Sequence, residues 1–253
     1  MKLTVFGAAR TVTGSMTLIE YGGKKLLLEC GTFQGRREES YFTNLNFPFN
    51  PAEIDAMILS HAHIDHSGNI PNLVKQGFKG KIYATNATVD LADIMLRDSG
   101  HIQENDIKYL NKKRRKKNKP PLEPIYTQKD ALAAMPHFRM VWYDVAFEPI
   151  PGIKARLVEA GHILGSAAIV LDYKNAAGEF ITAQTTDQVV TDSTRFDVGW
   201  LRRPTDRRIT FGMFFQDYLP TNKNFKMFLN LLYGSNLPYN IPGAVKYRNA
   251  AVI

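Results

Sequence analysis

Short apolar runs alternate with amphipathic stretches along the first two thirds of the chain, up to about residue 175. Alternation of strand-length apolar runs with segments of helical periodicity indicates a layered α/β domain. The apolar runs predict strands at residues 3–6, 17–28 (a hairpin turning at Gly22 and Gly23), 56–59, 81–84, 139–145, 153–158 and 167–173. The amphipathic stretches predict helices at residues 70–76, 86–97, 104–117 and 127–134.

Capping residues and prolines mark where the predicted helices begin and end. Asn86 and Thr127 belong to the residue types that cap helix N-termini, and both stand at the start of a helical pattern. Pro120 and Pro121 end the charged helix predicted at 104–117, because proline cannot continue a helix. Two separate helices are therefore predicted between residues 86 and 117.

The chain beyond residue 175 has a different composition. Residues 176–253 contain 12 aromatic residues in 78 positions, whereas residues 1–175 contain 16, and no histidine follows His162. Alternating apolar positions at 207–219 and 225–233, joined by a turn, predict a β-hairpin. We therefore expect two regions, an α/β domain at 1–175 and a mismatched, β-rich C-terminal tail at 176–253.

Composition and charge narrow the class of protein. A single cysteine excludes an internal disulfide framework, and no apolar run reaches the length of about 18 residues that a membrane-spanning helix needs. The N-terminal segment lacks the long apolar stretch of a signal peptide, so a cytoplasmic location is expected. The net charge of +8 comes from one block: seven of the eight residues at 112–119 are basic, and the remainder holds 25 basic against 24 acidic residues.

The strongest chemical signal lies directly after the apolar run at 56–59. Four ligand-type side chains occur within six residues, namely His61, His63, Asp65 and His66. Because successive side chains of extended backbone point to opposite sides, His61 and His63 can face one metal ion while Asp65 and His66 project elsewhere. Imidazole with carboxylate suits zinc better than iron or manganese, so we predict one or two Zn²⁺ ions. The alternative, a polar loop with coincidental histidines, is disfavoured by this spacing.

The pattern H-x-H-x-D-H at 61–66 resembles the signature of the metallo-β-lactamase superfamily. Other segments resemble its β-CASP ribonuclease branch, in particular bacterial members described as RNA 3′-end-processing-exonuclease-like. These segments are Gly7–Ser15, Leu27–Gly35, Asp98–Glu104, Leu110–Thr127 and, as a third metal motif, Ala160–Ala167. The resemblance covers residues 1 to about 175 and implies an αββα sandwich, incomplete here, for the zinc domain.

The resemblance also implies roles for individual residues. One zinc ion would be held by three histidines: His61, His63 and His162. A second would be held by Asp65 and His66, and a metal-activated hydroxide would attack the phosphorus of an RNA phosphodiester. Asp65 and Glu29 are thus the catalytic candidates. Glu29 stands where the family usually has aspartate and would orient the histidine loop.

Part of the family's motif set has no clear counterpart. The family has an aspartate that bridges the two metals, and Asp187 lies 25 residues after His162 without matching neighbours. The later histidines of the family, a zinc ligand and a general acid, are absent. We expect a zinc-dependent, ribonuclease-like hydrolase; the alternatives are a catalytically inactive zinc- and RNA-binding fragment, and a lactonase or thioesterase on the same scaffold.

The tail and the basic block raise separate questions. The predicted hairpin and residues 240–249 resemble segments of TonB-dependent outer-membrane receptors, which indicates a chimeric chain, although membrane association is not favoured. A cationic patch would attract the phosphate backbone of RNA without reading sequence; a solvated helix face is the alternative. The candidate RNA-binding residues are Lys112, Lys113, Arg114, Arg115, Lys116 and Lys117.

Overall fold

The computed structural model describes residues 1–8, 12–175 and 177–185. Asp187, the predicted hairpin and the segment resembling TonB-dependent receptors lie outside the described residues. The division at residue 175 therefore stays a prediction.

The first sheet has six strands in the order of the chain. They are β1 (Lys2–Gly7), β2 (Met16–Tyr21), β3 (Lys24–Leu28), β4 (Ala56–Ile58), β5 (Lys81–Thr85) and β6 (Phe138–Val141). β1, β2 and β3 pair antiparallel, and β3 to β6 pair parallel. The predicted turn between β2 and β3 is confirmed, since Gly22 and Gly23 both have positive φ angles, of 57° and 75°.

The second sheet has four antiparallel strands in the order β10-β9-β8-β7. They are β7 (Phe147–Ile150), β8 (Ile153–Glu159), β9 (Ala167–Lys174) and β10 (Phe180–Gln184). Strands β7 and β10 are additions to the sequence prediction. β10 pairs with β9 from Phe180 to Gln184, so this sheet extends beyond residue 175.

Five α-helices lie in the described part of the chain. They are α1 (Arg37–Leu45), α2 (Ile64–Ser67), α3 (Ile70–Lys75), α4 (Asn86–Arg115) and α5 (Gln128–Ala134), with 3₁₀ turns at Pro51–Glu53 and Met135–His137. Helix α5 begins as predicted at Thr127, whose side chain forms a reciprocal capping box with Asp130.

Two hydrophobic clusters hold these layers together. One joins the first sheet to the helices and includes Leu27, Ile82 and Leu96. The other lies between the two sheets and includes Leu26 and Leu157. Leu26 and Leu27 enter different clusters because neighbouring side chains of a strand point to opposite faces. The predicted α/β sandwich class is confirmed, with helix, sheet and sheet layers in the described residues.

The prediction of two helices between residues 86 and 117 is wrong. The structure has one helix, α4, of 30 residues, and its N-cap is Thr85, whose side chain accepts a hydrogen bond from the backbone N–H of Thr88. Gly100 lies mid-helix, where a Cβ would come within 2.7 Å of the backbone nitrogen of Gln128. Close packing against the start of α5 therefore keeps this glycine inside the helix despite its low helix propensity.

Candidate metal centre

The predicted ligands lie where parallel strands end. Glu29 follows β3, and the loop with His61 and His63 follows β4. Asp65 and His66 come next, on the short helix α2. Because the carboxyl ends of parallel strands meet at one edge of a sheet, these side chains converge there, which is the usual position of ligand sites in open α/β sheets.

The backbone around α2 is held by the segment that follows β3. Cys30 donates its N–H to the carbonyl of His66 at 2.7 Å, and Thr32 donates to that of Ile64 at 2.9 Å. Gly31 packs so closely that a Cβ would lie 1.5 Å from the carbonyl oxygen of Asp65. A glycine is therefore required at position 31 for the two segments to lie side by side.

His61, His63 and His162, predicted as ligands of one ion, are brought together. Each offers one ligand atom, and the three atoms lie within 4.8 Å of one another. His61 Nε2 is 3.1 Å from His63 Nδ1, and His61 Nδ1 is 2.9 Å from Ser60 Oγ. Two ligands of a tetrahedral zinc ion lie about 3.3 Å apart at bond lengths of about 2.0 Å. The spacing of His61 and His63 therefore fits one ion.

Asp65 and His66 form a second, neighbouring pair. His66 Nε2 is 3.8 Å from Asp65 Oδ2, and His66 Nδ1 is 3.2 Å from Glu29 Oε2. When Nδ1 carries the proton and donates it in a hydrogen bond to the Glu29 carboxylate, the lone pair of the imidazole is on Nε2, on the side of Asp65. A carboxylate behind an imidazole is the usual arrangement around metal-ligating histidines. This pair therefore fits a second ion.

Glu29 links two parts of the histidine loop. Its Oε1 accepts a hydrogen bond from the backbone N–H of Ser60 at 2.9 Å, while Oε2 faces His66. The side chain is buried, and the residue has a φ of 62°, in the left-handed region that non-glycine residues rarely adopt. Strained backbone of this kind is enriched at functional sites. Its predicted orienting role remains a prediction.

Two threonines that the sequence analysis missed anchor the segment after His162. The hydroxyls of Thr85 and Thr88 donate to the carbonyl of Gly165 at 2.6 Å and 2.8 Å. Gly165 has a φ of 84°, and a Cβ there would lie 2.5 Å from the backbone nitrogen of Thr88. Ala167 N–H also donates to the carbonyl of Ser60 at 2.9 Å. The G-x-x-x-G spacing at 161–165 was the available sequence signal for this contact.

The basic block lies at the far end of α4. Arg115 is the last residue of the helix, and the block's side chains are exposed, except that of Arg114, which is half-buried and donates from Nε to the Pro120 carbonyl at 2.7 Å. Lys113 Nζ lies 4.4 Å from the centre of the Tyr109 ring. The helical rise separates Thr88 from this block by about 40 Å. The structure therefore places the predicted RNA-binding residues at the opposite end of α4 from Thr88.

Cys30 has a packing role. It is fully buried in the cluster beneath the first sheet, and burial raises the pKa of its thiol well above the ordinary range. A thiol that stays protonated is a poor nucleophile and a poor metal ligand.

The family assignment follows from comparison with known proteins. Residues 9–143 match the family model described as the metallo-beta-lactamase superfamily, more than half of the chain. The chain belongs to this superfamily.

The curated relatives include proteins named as ribonucleases and as a transcription termination factor. Ribonuclease TTHA0252 of Thermus thermophilus is 36% identical over 170 residues, which cover 67% of this chain and 35% of that protein. Transcription termination factor FttA of Methanocaldococcus jannaschii is 32% identical, covering 66% of this chain and 24% of that protein. Endoribonuclease YSH1 of Gibberella zeae is 25% identical, covering 66% of this chain and 18% of that protein. The predicted superfamily is confirmed, and the relatives named as ribonucleases are those of the predicted kind. The chain spans about a third or less of these relatives' length.

Within the described residues, no helix combines the length and the apolar character needed to cross a membrane.

Proposed function

We propose that this chain is a zinc-dependent hydrolase that cleaves RNA phosphodiester bonds. The observation that carries the proposal is the pairing of two donor sets, three histidines for one ion and the Asp65–His66 pair beside it. Membership of the metallo-β-lactamase superfamily and relatives named as ribonucleases support the reaction class and the substrate.

The donor chemistry fits zinc. Imidazole nitrogens with a carboxylate oxygen form its common protein ligand sets. The 3.1 Å between His61 Nε2 and His63 Nδ1 suits two ligands of one ion, and so does the 3.8 Å between His66 Nε2 and Asp65 Oδ2. When bound, two divalent cations lower the pKa of water toward neutrality and stabilise negative charge on phosphoryl oxygens. Asp187 is the proposed further ligand, and it lies outside the described residues.

The chain's own residues would orient the ligands. Glu29 holds the Nδ1 proton of His66 and the N–H of Ser60 at once, so one carboxylate sets both the imidazole plane and the start of the histidine loop. Asp65 presents its carboxylate beside His66 Nε2. We assign Glu29 a positioning role and Asp65 a ligand role next to the reacting phosphate.

The basic block would bind the RNA backbone away from the cleavage point. Its exposed cations at the end of α4 would release counterions from phosphates, a contribution that falls as salt rises. The alternative is a solvated helix face, and cations near the C-terminal end of a helix interact favourably with its dipole without any RNA. An RNA-processing role in the cytoplasm is the setting that we propose.

A second candidate is binding of zinc and RNA without turnover. The lack of matching neighbours around Asp187, the proposed further ligand, favours it, because a motif that departs from the family's pattern puts the second ion in doubt. A cleavage assay separates the two candidates.

The test is metal content and RNA cleavage of the purified chain, its His63→Ala variant and a control, His101→Ala, which changes an exposed histidine of α4. We expect about two zinc ions per wild-type chain by plasma mass spectrometry, and cleavage of single-stranded RNA. His63→Ala should hold less zinc and lose cleavage, whereas His101→Ala should match the wild type.

Wild-type protein without bound zinc would overturn the proposal. Zinc binding without cleavage would leave the non-catalytic alternative. Cleavage that survives in His63→Ala would indicate a contaminating nuclease.

A further inference from the structure

A cavity of about 590 Å³ lies beside the histidine loop. Its volume falls within the range of about 300–1,000 Å³ typical of small-ligand pockets. The lining residues that matter here are Phe6, Gly14, Gly31, Phe33, Phe42 and Asn44.

The cavity shares a wall with the metal centre. Gly31 lines it and is packed directly against the backbone of Asp65. Gly14 also lines it, and the next residue, Ser15, donates its N–H to the carbonyl of Asp65 at 2.8 Å. A ligand in this cavity is thus separated by one layer of backbone from the predicted ligands of the second ion.

One aromatic wall is held rigidly. Phe33 donates its N–H to Asn44 Oδ1 at 2.7 Å and accepts from Asn44 Nδ2 at 2.9 Å, so the buried amide of Asn44 clamps both backbone groups. The carbonyl of Asn44 in turn accepts from Asn69 and Asn72, each at 2.9 Å. This network fixes the backbone of Phe33, whose ring packs against Gly35 at one side.

The other wall is one face of helix α1. Glu39, Phe42, Thr43 and Asn46 line the cavity at spacings of three and four residues. Phe42 is 54% exposed although it is a large apolar side chain. Glu39 is the one charged side chain among the described lining residues. An acidic group repels phosphate, so the cavity suits a neutral planar group better than the RNA backbone.

We propose that this cavity binds an unpaired nucleobase of the RNA strand whose phosphodiester lies at the metal centre. Unpaired bases are neutral, planar and commonly stacked on aromatic side chains by proteins that bind single-stranded RNA. The assignment rests on the proposed function and adds a base subsite to it. Stacking tolerates all four bases, so the cavity positions the strand without selecting sequence.

The experiment measures binding of a single-stranded 2′-O-methyl RNA of about twelve nucleotides, long enough to span the distance to the basic block. Three variants of the full chain are compared with the wild type. Phe42→Ala removes the exposed ring, Phe42→Tyr keeps an aromatic face, and Phe180→Ala is the matched control at a 79% exposed phenylalanine of β10. A set of RNAs of the same sequence is also tested, in which a single abasic nucleotide occupies a different position in each.

We expect Phe42→Ala to weaken binding about tenfold, with Phe42→Tyr and Phe180→Ala close to wild type. One abasic position should weaken wild-type binding by a similar factor and should leave Phe42→Ala unaffected, because the two changes remove the same contact.

RNA binding that Phe42→Ala leaves intact, or a loss that is independent of the abasic position, would overturn the base subsite alone. Failure of the zinc-loaded wild type to bind RNA at all would overturn this proposal together with the proposed function.

Discussion

Glu29 and Tyr126 show how single buried side chains determine properties of the whole site or fold. Glu29 joins the start of the histidine loop to His66 through two separate hydrogen bonds. Tyr126 lies fully buried in the cluster beneath the first sheet, with its hydroxyl near Ser99 and Gln103 of α4. For each residue we predict an effect of substitution that the same type of substitution at an exposed position would not produce.

Replacing Glu29 by glutamine should weaken zinc binding about 10- to 100-fold, the usual cost of losing a carboxylate behind a metal-ligating histidine. Glutamine can still accept from Ser60, but it provides no negative charge to hold the His66 proton. Chelator competition measures the affinity. Glu123→Gln, at an exposed position, is the control, and an unchanged competition curve for Glu29→Gln would rule out the orienting role.

Alkaline pH should destabilise the fold through Tyr126. Burial raises the pKa of Tyr126 to about 12, from the ordinary value of 10.0. The unfolded chain then loses this proton first, so stability is constant below about pH 10 and falls between about pH 10 and 12, by up to roughly 2.7 kcal/mol. The Tyr126→Phe variant should not show this fall in the free energy of unfolding. Denaturant unfolding of both proteins at pH 8 and pH 11 would measure the difference. Parallel pH profiles for the two proteins would contradict the prediction.

At the scale of elements, α4 connects the two chemical features of the chain. Its first residues hold Gly165 through Thr85 and Thr88, and its last turn carries the basic block. The histidine loop and most of the sandwich strands were predictable, because buried runs and ligand spacing are local patterns, whereas β7 and β10 were not predicted. The continuity of α4 was not, since it depends on the close approach of Gly100 to Gln128. The short helix α2 was also missed, because residues 64–67 are held by backbone bonds from Cys30 and Thr32.

Removing one hydroxyl at the start of α4 should loosen the segment after His162. Thr88→Val keeps the side-chain shape but leaves the buried Gly165 carbonyl with one donor fewer, at a cost of about 1–2 kcal/mol in unfolding free energy. Zinc affinity should fall as well, because the loss of anchoring reaches the third histidine. Thr182→Val, an exposed threonine on β10, is the control for the same substitution. Full zinc affinity in Thr88→Val would show that this anchor does not affect the ions.

At the scale of the molecule, the basic block lies about 40 Å along α4 from Thr88, which anchors the segment after His162. A strand stacked at about 3.4 Å per nucleotide needs more than ten nucleotides to reach from one to the other. RNA length should therefore decide whether the block contributes to binding.

Neutralising Lys112, Lys113 and Arg115 together, each to glutamine, should weaken binding of RNA longer than about twelve nucleotides and reduce its salt dependence. Loss of three phosphate contacts lowers the slope of log affinity against log salt by about 2. Binding of hexamers that occupy the cavity should change little. The triple variant of Lys79, Lys129 and Lys154, all exposed, removes the same charge elsewhere. Equal effects of the two triples would indicate net charge alone.

Strand β4 is only three residues long, yet all three are fully buried between β3 and β5, and the histidine loop begins two residues later. Leu59 extends this support by donating its N–H to the carbonyl of Tyr83 at 2.9 Å. Amides here should be among the slowest in the chain to exchange with deuterated solvent, with or without metal. Ion capture would then require little ordering of His61 and His63, so its entropy penalty should be small. His61 and His63 would then be preorganised by folding itself, before any ion binds.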